Sequence, residues 1–481
     1  MFARLVMPVF DDLVSHVLST PPSVAVITVL TVFAFSFTSI WLVQHRAFVD
    51  MIPRRVMRLL SRRVGGRPGP WKPQSVRTFS NISRKYGRRM LSLPGREHLR
   101  QSARRLSVVQ FNILASKLAL PRHFPFANPE SIGWAHRKHV LLRNIAELHA
   151  DIMCLQELGT WQWVDLLPAR PWLPGCTCAD NYWVFFGPQL RKLGYDSVYF
   201  KRPSVHKSSW SGVHKADGCG IFFKESDWEA IAVDAVNYAD VHDRVGLLVL
   251  LRSRHDPAAC LLVVTTHVYW NKEKVGACAA EFGSSYLSLF STRQLATQLK
   301  QLQQLDTAAR VMLRRCLRPE LLGPEFDPHT LPVIVCGDFN NTPDSAVYRY
   351  MTQTFMQRQP DSASGGKTAV GPFESAYNQY QGAVRGELLP EAEVKCGKGE
   401  PGFSTITHRR RNNIDYIFHN QQLAPLSVLS EPPLDRVVCD KPMEATGDHI
   451  PDGIVRHAIP NSLFGSDHMP IMADFAVKFS L

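Results

Sequence analysis

The chain changes texture at Leu106. From there, apolar runs of strand length alternate with turns and a few helical stretches. Leu106-Ser-Val-Val-Gln-Phe-Asn-Ile-Leu114 predicts a buried strand, Arg137 to His149 an amphipathic helix, and Asp151-Ile-Met-Cys-Leu-Gln156 a second strand. Further strands are predicted at 195–200, 219–224, 229–236, 246–251, 260–266, 333–337, 414–418 and 470–478, with helices at 181–193, 291–316 and 344–354. Many strands with helices between some pairs predict an α/β (α+β) body of mixed sheets covered by helices. Residues 381–401 form a polar, helix-poor insertion in this reading.

Upstream of Leu106 the pattern is different. Ser23 to Val43 is a run of 21 residues without a charge. At about 1.5 Å per helical residue it matches the roughly 30 Å of bilayer hydrocarbon. The expectation is therefore one N-terminal transmembrane helix at 23–43, preceded by a short segment 1–22. A basic, flexible tether at 44–105 and the body at 106–481 follow. Arg46, Arg54, Arg55, Arg58, Arg62, Arg63 and Arg67 follow the apolar run, so the reading places the body on the cytoplasmic side of a membrane. The Arg-rich, acid-poor stretch also fits a mitochondrial location as an alternative.

Charge sharpens this division. The net charge is +13, yet residues 44–105 alone carry 17 Lys or Arg against Asp50 and Glu97, leaving the body close to neutral. The basicity belongs to the extension and is no argument that the body binds nucleic acid. The ten cysteines form no Cys-x-x-Cys pair, which excludes an evident zinc framework and a dense disulfide scaffold.

Chemistry collects at the predicted strand ends. Gly337-Asp338-Phe339-Asn340 follows the apolar run Leu331 to Cys336, and its acid and amide, two residues apart, point the same way. Asn112 and Glu157 lie at the ends of the first two strands, and His267 ends Leu261-Leu-Val-Val-Thr-Thr-His267. Asp415 stands in Asn413-Ile-Asp-Tyr-Ile-Phe418, and Asp467-His468 precedes the last strand. Phosphodiester hydrolysis needs an in-line water, neutralisation of phosphate charge and help for the leaving oxygen. Carboxylates and amides suit hard Mg²⁺ or Mn²⁺, and a carboxylate paired with imidazole gives an oriented histidine.

These segments give the chain its resemblance. Gln110-Phe-Asn-Ile-Leu114, Trp134-x-x-Arg137-Lys138, Cys154-Leu-Gln-Glu157, Asp217-Gly-Cys-Gly-Ile-Phe-Phe223, Thr266-His267, Gly337-Asp-Phe-Asn340, Ile414-Asp-Tyr-Ile-Phe418 and Ser466-Asp-His468 resemble the endonuclease/exonuclease/phosphatase superfamily. Within it they are most similar to the branch of the carbon-catabolite-repressor deadenylases, nocturnin, angel and the mitochondrial 2′,5′-phosphodiesterase. The resemblance spans about 106–480. It implies a four-layer α-β-β-α sandwich with two mixed β-sheets and a Mg²⁺-dependent 3′→5′ exoribonuclease releasing 5′-nucleotides. It also implies roles: Glu157, Asn112 and Asp467 as metal ligands, Asp338 activating water, Asn340 and His267 holding the phosphate, and His468 oriented by Asp415. Where deadenylases of this branch carry an aromatic residue before the Ile-Asp-Tyr-Ile aspartate, this chain carries Arg410 and Arg411, taken as substrate-binding. The expected partner is RNA, including poly(A), or an adenine-containing nucleotide such as NADP(H) or 2′,5′-oligoadenylate. A catalytically inactive RNA-binding tether is the reading from another class. Residues 272–292 are an insertion that could cover the site as a lid.

Overall fold

The computed structural model describes residues 85–100, 104–159, 182–203, 217–239, 243–270, 284–316, 330–357, 370–444 and 454–477. Two mixed sheets form its centre. The strands are β1 (Met90–Ser92), β2 (Arg104–Asn112), β3 (Ile152–Gly159), β4 (Tyr195–Lys201), β5 (Asp217–Lys224), β6 (Trp228–Asn237), β7 (Val245–Ser253), β8 (Cys260–His267) and β9 (Val333–Asp338). They continue with β10 (Phe373–Ser375), β11 (Thr405–Ile406), β12 (Arg411–Asn412), β13 (Asp415–Asn420), β14 (Leu423–Leu429), β15 (Val438–Glu444), β16 (Ile454–His457) and β17 (Ile471–Val477). Seven strands run in the order β1-β14-β17-β2-β3-β5-β4 and six in the order β10-β13-β9-β8-β7-β6. The β2–β3 and β8–β9 pairs are parallel and their neighbours antiparallel.

The period-two pattern explains the layering. In β2, Leu106 and Val108 face the space between the sheets, where they meet Ile152, Cys154, Val263, Ile334 and Ile417 in one core cluster. Val109, Phe111, Met153 and Leu155 point the other way and pack on α1 (Trp134–Ala146) through Leu141 and Ile145. On the far side Leu262, Val264, Val333 and Val335 pack on α2 (Ser284–Cys316) through Leu302, Leu305 and Ala309, and on α3 (Ala346–Gln353) through Val347 and Met351. Ser345 caps α3, its hydroxyl accepting from the Tyr348 N–H at 3.1 Å. The result is helix, sheet, sheet, helix.

One part of the expected architecture is corrected. No helix among the described residues is long and apolar enough to cross a membrane. The transmembrane helix expected at 23–43, and the membrane-anchored placement built on it, are accordingly not supported; residues 23–43 lie outside the described residues. The expected lid also falls largely there, since residues 271–283 are not described. Within the stretch expected to be tether, Met90–Ser92 pairs with β14 and extends the seven-stranded sheet. The 381–401 insertion holds two short helices, at Tyr380–Arg385 and Glu391–Lys395.

Candidate active site

Along each central strand the inter-sheet positions are apolar until they turn polar at the same end. In β2 the series Leu106, Val108 continues as Gln110, Asn112; in β3 Ile152, Cys154 continues as Gln156. In β8 Val263 leads to Thr265 and His267, in β9 Ile334 and Cys336 lead to Asp338, and β13 opens with Asp415. Register aligns the groups: His267 pairs with Asp338 across β8–β9, and Asp338 with Asp415 across β9–β13. Hydrogen bonds cross between the sheets behind them. Gln156 Nε2 donates to Gln110 Oε1 at 2.7 Å and to Thr265 Oγ1 at 2.9 Å, and Gln110 Nε2 reaches Asp415 Oδ1 at 3.3 Å. All four residues are buried. Such a network is stable only when its members are satisfied, and it fixes the separation of the sheets at the pocket floor.

Glu157 breaks the alternation. Strict period two would place it with Met153 and Leu155 against α1. A β-bulge lies between Leu155 and Leu158 in the β3–β5 pairing, and Glu157 has φ +58°. The bulge turns its carboxylate into the site, where Oε2 accepts from the Ala115 N–H at 2.8 Å and Oε1 lies 3.4 Å from Asn112 Nδ2.

Asp338 is the point of convergence. Its Oδ2 accepts from Asn112 Nδ2 at 3.0 Å and lies 3.4 Å from His267 Nε2 and 3.7 Å from His468 Nε2. Its Oδ1 accepts from the Asn340 N–H at 2.9 Å. Burial pushes the Asp338 pKa upward, opposed by His468. Burial also disfavours the charged form of His468, but the carboxylates of Asp415, Asp338 and Asp467 outweigh it and hold the imidazole pKa up at about 10. Its Nδ1 bonds Asp415 Oδ2 at 2.7 Å, and that same oxygen accepts from Ser404 Oγ at 2.6 Å. His267 goes the other way: burial, then Arg244 and Arg202, drive its pKa well down, leaving a neutral ring.

The remaining expected residues occupy the rim. Asp467 lies 3.7 Å from Arg410 Nη2, and the Arg410 guanidinium sits 4.9 Å from the centre of the Trp270 ring. Arg411 instead lies over Phe403, 4.6 Å from its ring centre. Asn340, at φ +51°, donates its side-chain amide to the Val268 carbonyl at 3.0 Å, tying the loop after β9 to the loop after β8. The structure thus brings Asn112, Glu157, His267, Asp338, Asp415 and His468 into one buried group. Asp467 and Arg410 stand beside it, and Arg411 stands apart. Sequence reasoning missed Gln110, Gln156, Thr265, Ser404 and Trp270. The first three were legible as polar residues on the inter-sheet phase of otherwise apolar strands.

The donor chemistry fits a hard divalent cation. Glu157 and Asp338 share a single amide donor, so both carboxylates bound one small polar space. Asp338, Asp415 and His468 also offer atoms within 4.8 Å of one another. Asp415 and His468 are better read as a pair than as ligands: Asp415 Oδ2 already accepts two hydrogen bonds, and an imidazolium has no lone pair to offer.

Comparisons agree with the geometry. A model of the "Endonuclease/Exonuclease/phosphatase family" matches residues 109–468. The chain is 24% identical over 415 residues to the CCR4-Not complex 3′-5′-exoribonuclease subunit Ccr4 of Neurospora crassa, covering 79% of this chain and 47% of the relative. It is 24% identical over 416 residues to carbon catabolite repressor protein 4 homolog 4 of Arabidopsis thaliana, covering 78% of each. The chain therefore spans about half the length of the fungal relative. Among solved structures, ANGEL2, a 2′,3′-cyclic phosphatase, in complex with adenosine-2′,3′-vanadate shares the fold at a TM-score of 0.52 and 20% identity, over 82% of this chain and 99% of that one.

Proposed function

The chain belongs to the endonuclease/exonuclease/phosphatase family, a family of phosphoester hydrolases, and on that premise we propose that it is a Mg²⁺-dependent 3′→5′ exoribonuclease of the deadenylase type. The observation that carries the reading is the convergence on Asp338 Oδ2 of Asn112, His267 and His468, supplied by three separate stretches of chain. In this reading Glu157, Asn112 and Asp467 would hold Mg²⁺ or Mn²⁺. The ion, when bound, neutralises phosphate charge as a Lewis acid.

The chain's own residues do the rest. Asp338, made more basic by its burial, takes the proton of the attacking water. The water oxygen forms the new bond to phosphorus and the bond to the 3′ oxygen of the penultimate nucleotide breaks. A 5′-nucleotide leaves, and the shortened chain ends in a 3′-hydroxyl once its oxygen gains a proton. His267, kept neutral by burial, would turn Nε2 from Asp338 Oδ2, 3.4 Å away, to a phosphate oxygen, and Asn340 closes the same side. His468, held as an imidazolium by Asp415, faces the charge that builds on the phosphoryl oxygens. Arg410 and Trp270 supply a flat cationic and aromatic rim suited to a nucleobase or phosphate, while Arg411 contributes charge further out. The catalytic body in this proposal is 106–481 together with the β1 segment that completes its sheet.

The test is a panel. The full-length chain with MgCl₂ is given oligo(A), 2′,5′-oligoadenylate, NADPH and adenosine 2′,3′-cyclic phosphate. Faster release of AMP from the 3′ end of oligo(A) than turnover of the other three supports the proposal. Preference for NADPH or 2′,5′-oligoadenylate replaces it with a small-nucleotide phosphodiesterase, and no turnover of any substrate points to an inactive binding protein.

A further inference from the structure

The Trp134-x-x-Arg137 spacing takes no part in the chemistry above, yet Arg137 is fully buried, in the first turn of α1. A guanidinium removed from water is tolerated only where acceptors meet its donors. Here Nε donates to the Gly465 carbonyl at 2.6 Å, and Nη2 donates to the Ile113 carbonyl at 2.9 Å and to the Leu114 carbonyl. The stretches it joins are those that carry the site. Ile113 and Leu114 follow Asn112, and Gly465 precedes Ser466-Asp467-His468.

Among the described residues, the β2–β17 backbone ladder does not reach these stretches. The β2–β17 ladder ends at the Gln110–Ile471 pair, so beyond it the two segments have lost their backbone register. Among the described residues, two side chains hydrogen-bond to the backbone on both sides of this gap. One is Arg137. The other is Ser466, whose hydroxyl donates to the Asn112 carbonyl at 2.7 Å and accepts from the His468 N–H at 3.2 Å. The fit around them is close. A Cβ on Gly465 would stand 3.0 Å from Leu141 Cγ and 3.3 Å from the Arg137 carbonyl oxygen.

We infer that Arg137 and Ser466 are positioning residues for the cation site, fixing the Asn112 side of the pocket against its Asp467–His468 side; this rests on the functional reading above. The planar fork suits the task because its N–H directions are set, whereas a lysine ammonium on a flexible stem cannot hold three carbonyls in one geometry. Supports of this kind, when removed, weaken metal binding by about 10- to 100-fold.

The experiment measures Mg²⁺ binding to full-length wild type, Arg137→Lys and Ser466→Ala by calorimetry, alongside the KM for labelled oligo(A) at saturating Mg²⁺. The expected result is Mg²⁺ affinity about tenfold or more weaker in each variant, with KM within about twofold of wild type and unchanged far-ultraviolet circular dichroism. If Arg137→Lys does not fold, Ser466→Ala decides, because it cuts only the smaller connection. Wild-type Mg²⁺ affinity in a folded variant overturns the inference and leaves the functional reading standing. A wild-type chain that binds no Mg²⁺ overturns both.

Discussion

Glu400 offers a prediction whose size follows from the structure. Its carboxyl is buried, with Oε1 accepting from the Tyr348 hydroxyl at 2.9 Å and Oε2 from Asn413 Nδ2 at 3.3 Å. Burial raises its pKa to about 7, from 4.5, against the opposing hydrogen bonds from Ser375, Tyr348 and Asn413. Because the folded pKa is the higher one, the folded state binds the proton more tightly. The group's contribution is therefore fully present below about pH 4.5 and is lost as pH rises through 7. At about 1.4 kcal/mol per pKa unit, the loss amounts to roughly 3 kcal/mol. Glu400→Gln keeps the shape and stays neutral. Asn413 Oδ1, buried with no hydrogen-bond partner among the described residues, is available to the new amide if the Asn413 side chain flips. Urea unfolding of both proteins at pH 4.5 and pH 8.5 is the assay. The stability of wild type relative to Glu400→Gln should fall by about 3 kcal/mol between the two pH values. A difference that stays constant would refute the reasoning.

Three further outcomes are expected. Asp338→Asn should fold normally and lose at least about 10²-fold in kcat on oligo(A), since it can no longer take a proton from water. Asp415→Asn should lower kcat by about 10²-fold with little change in KM, because it removes the carboxylate that keeps His468 charged; a wild-type kcat would separate His468 from the chemistry. Trp270→Ala should raise KM by about 5- to 150-fold, the equivalent of roughly 1–3 kcal/mol of lost stacking, while kcat holds within a few-fold.

Much of the fold was legible because its strands follow period two with little interruption. Val333 to Asp338 and Cys260 to His267 announce both their burial and the polar residue that ends them. The site was legible at those same ends, since parallel β8–β9 pairing carries His267 and Asp338 to one level without help from a loop. Other features depend on geometry that residue types do not encode. Glu157 reaches the pocket through a bulge and a positive φ in a residue that is not glycine. Arg411 and Arg410 are neighbours in sequence, yet a two-strand hairpin sends one to Phe403 and the other to Trp270. Glu400 lies in a stretch read only as a polar, helix-poor insertion, and three hydrogen-bonding partners let its carboxyl be buried. At the other end of the chain, uniform apolarity at 23–43 predicted a membrane span, and among the described residues no helix is able to cross a membrane.

Hydrolysis as proposed requires Glu157 and Asp338 to line one site for a divalent cation. Release of AMP from 3′-labelled oligo(A), followed with and without Mg²⁺ for wild type and Glu157→Gln, tests this most directly. The prediction is Mg²⁺-dependent release by wild type and a loss of at least about 10²-fold in the variant. Equal release by both proteins, or undiminished release in EDTA, would contradict it.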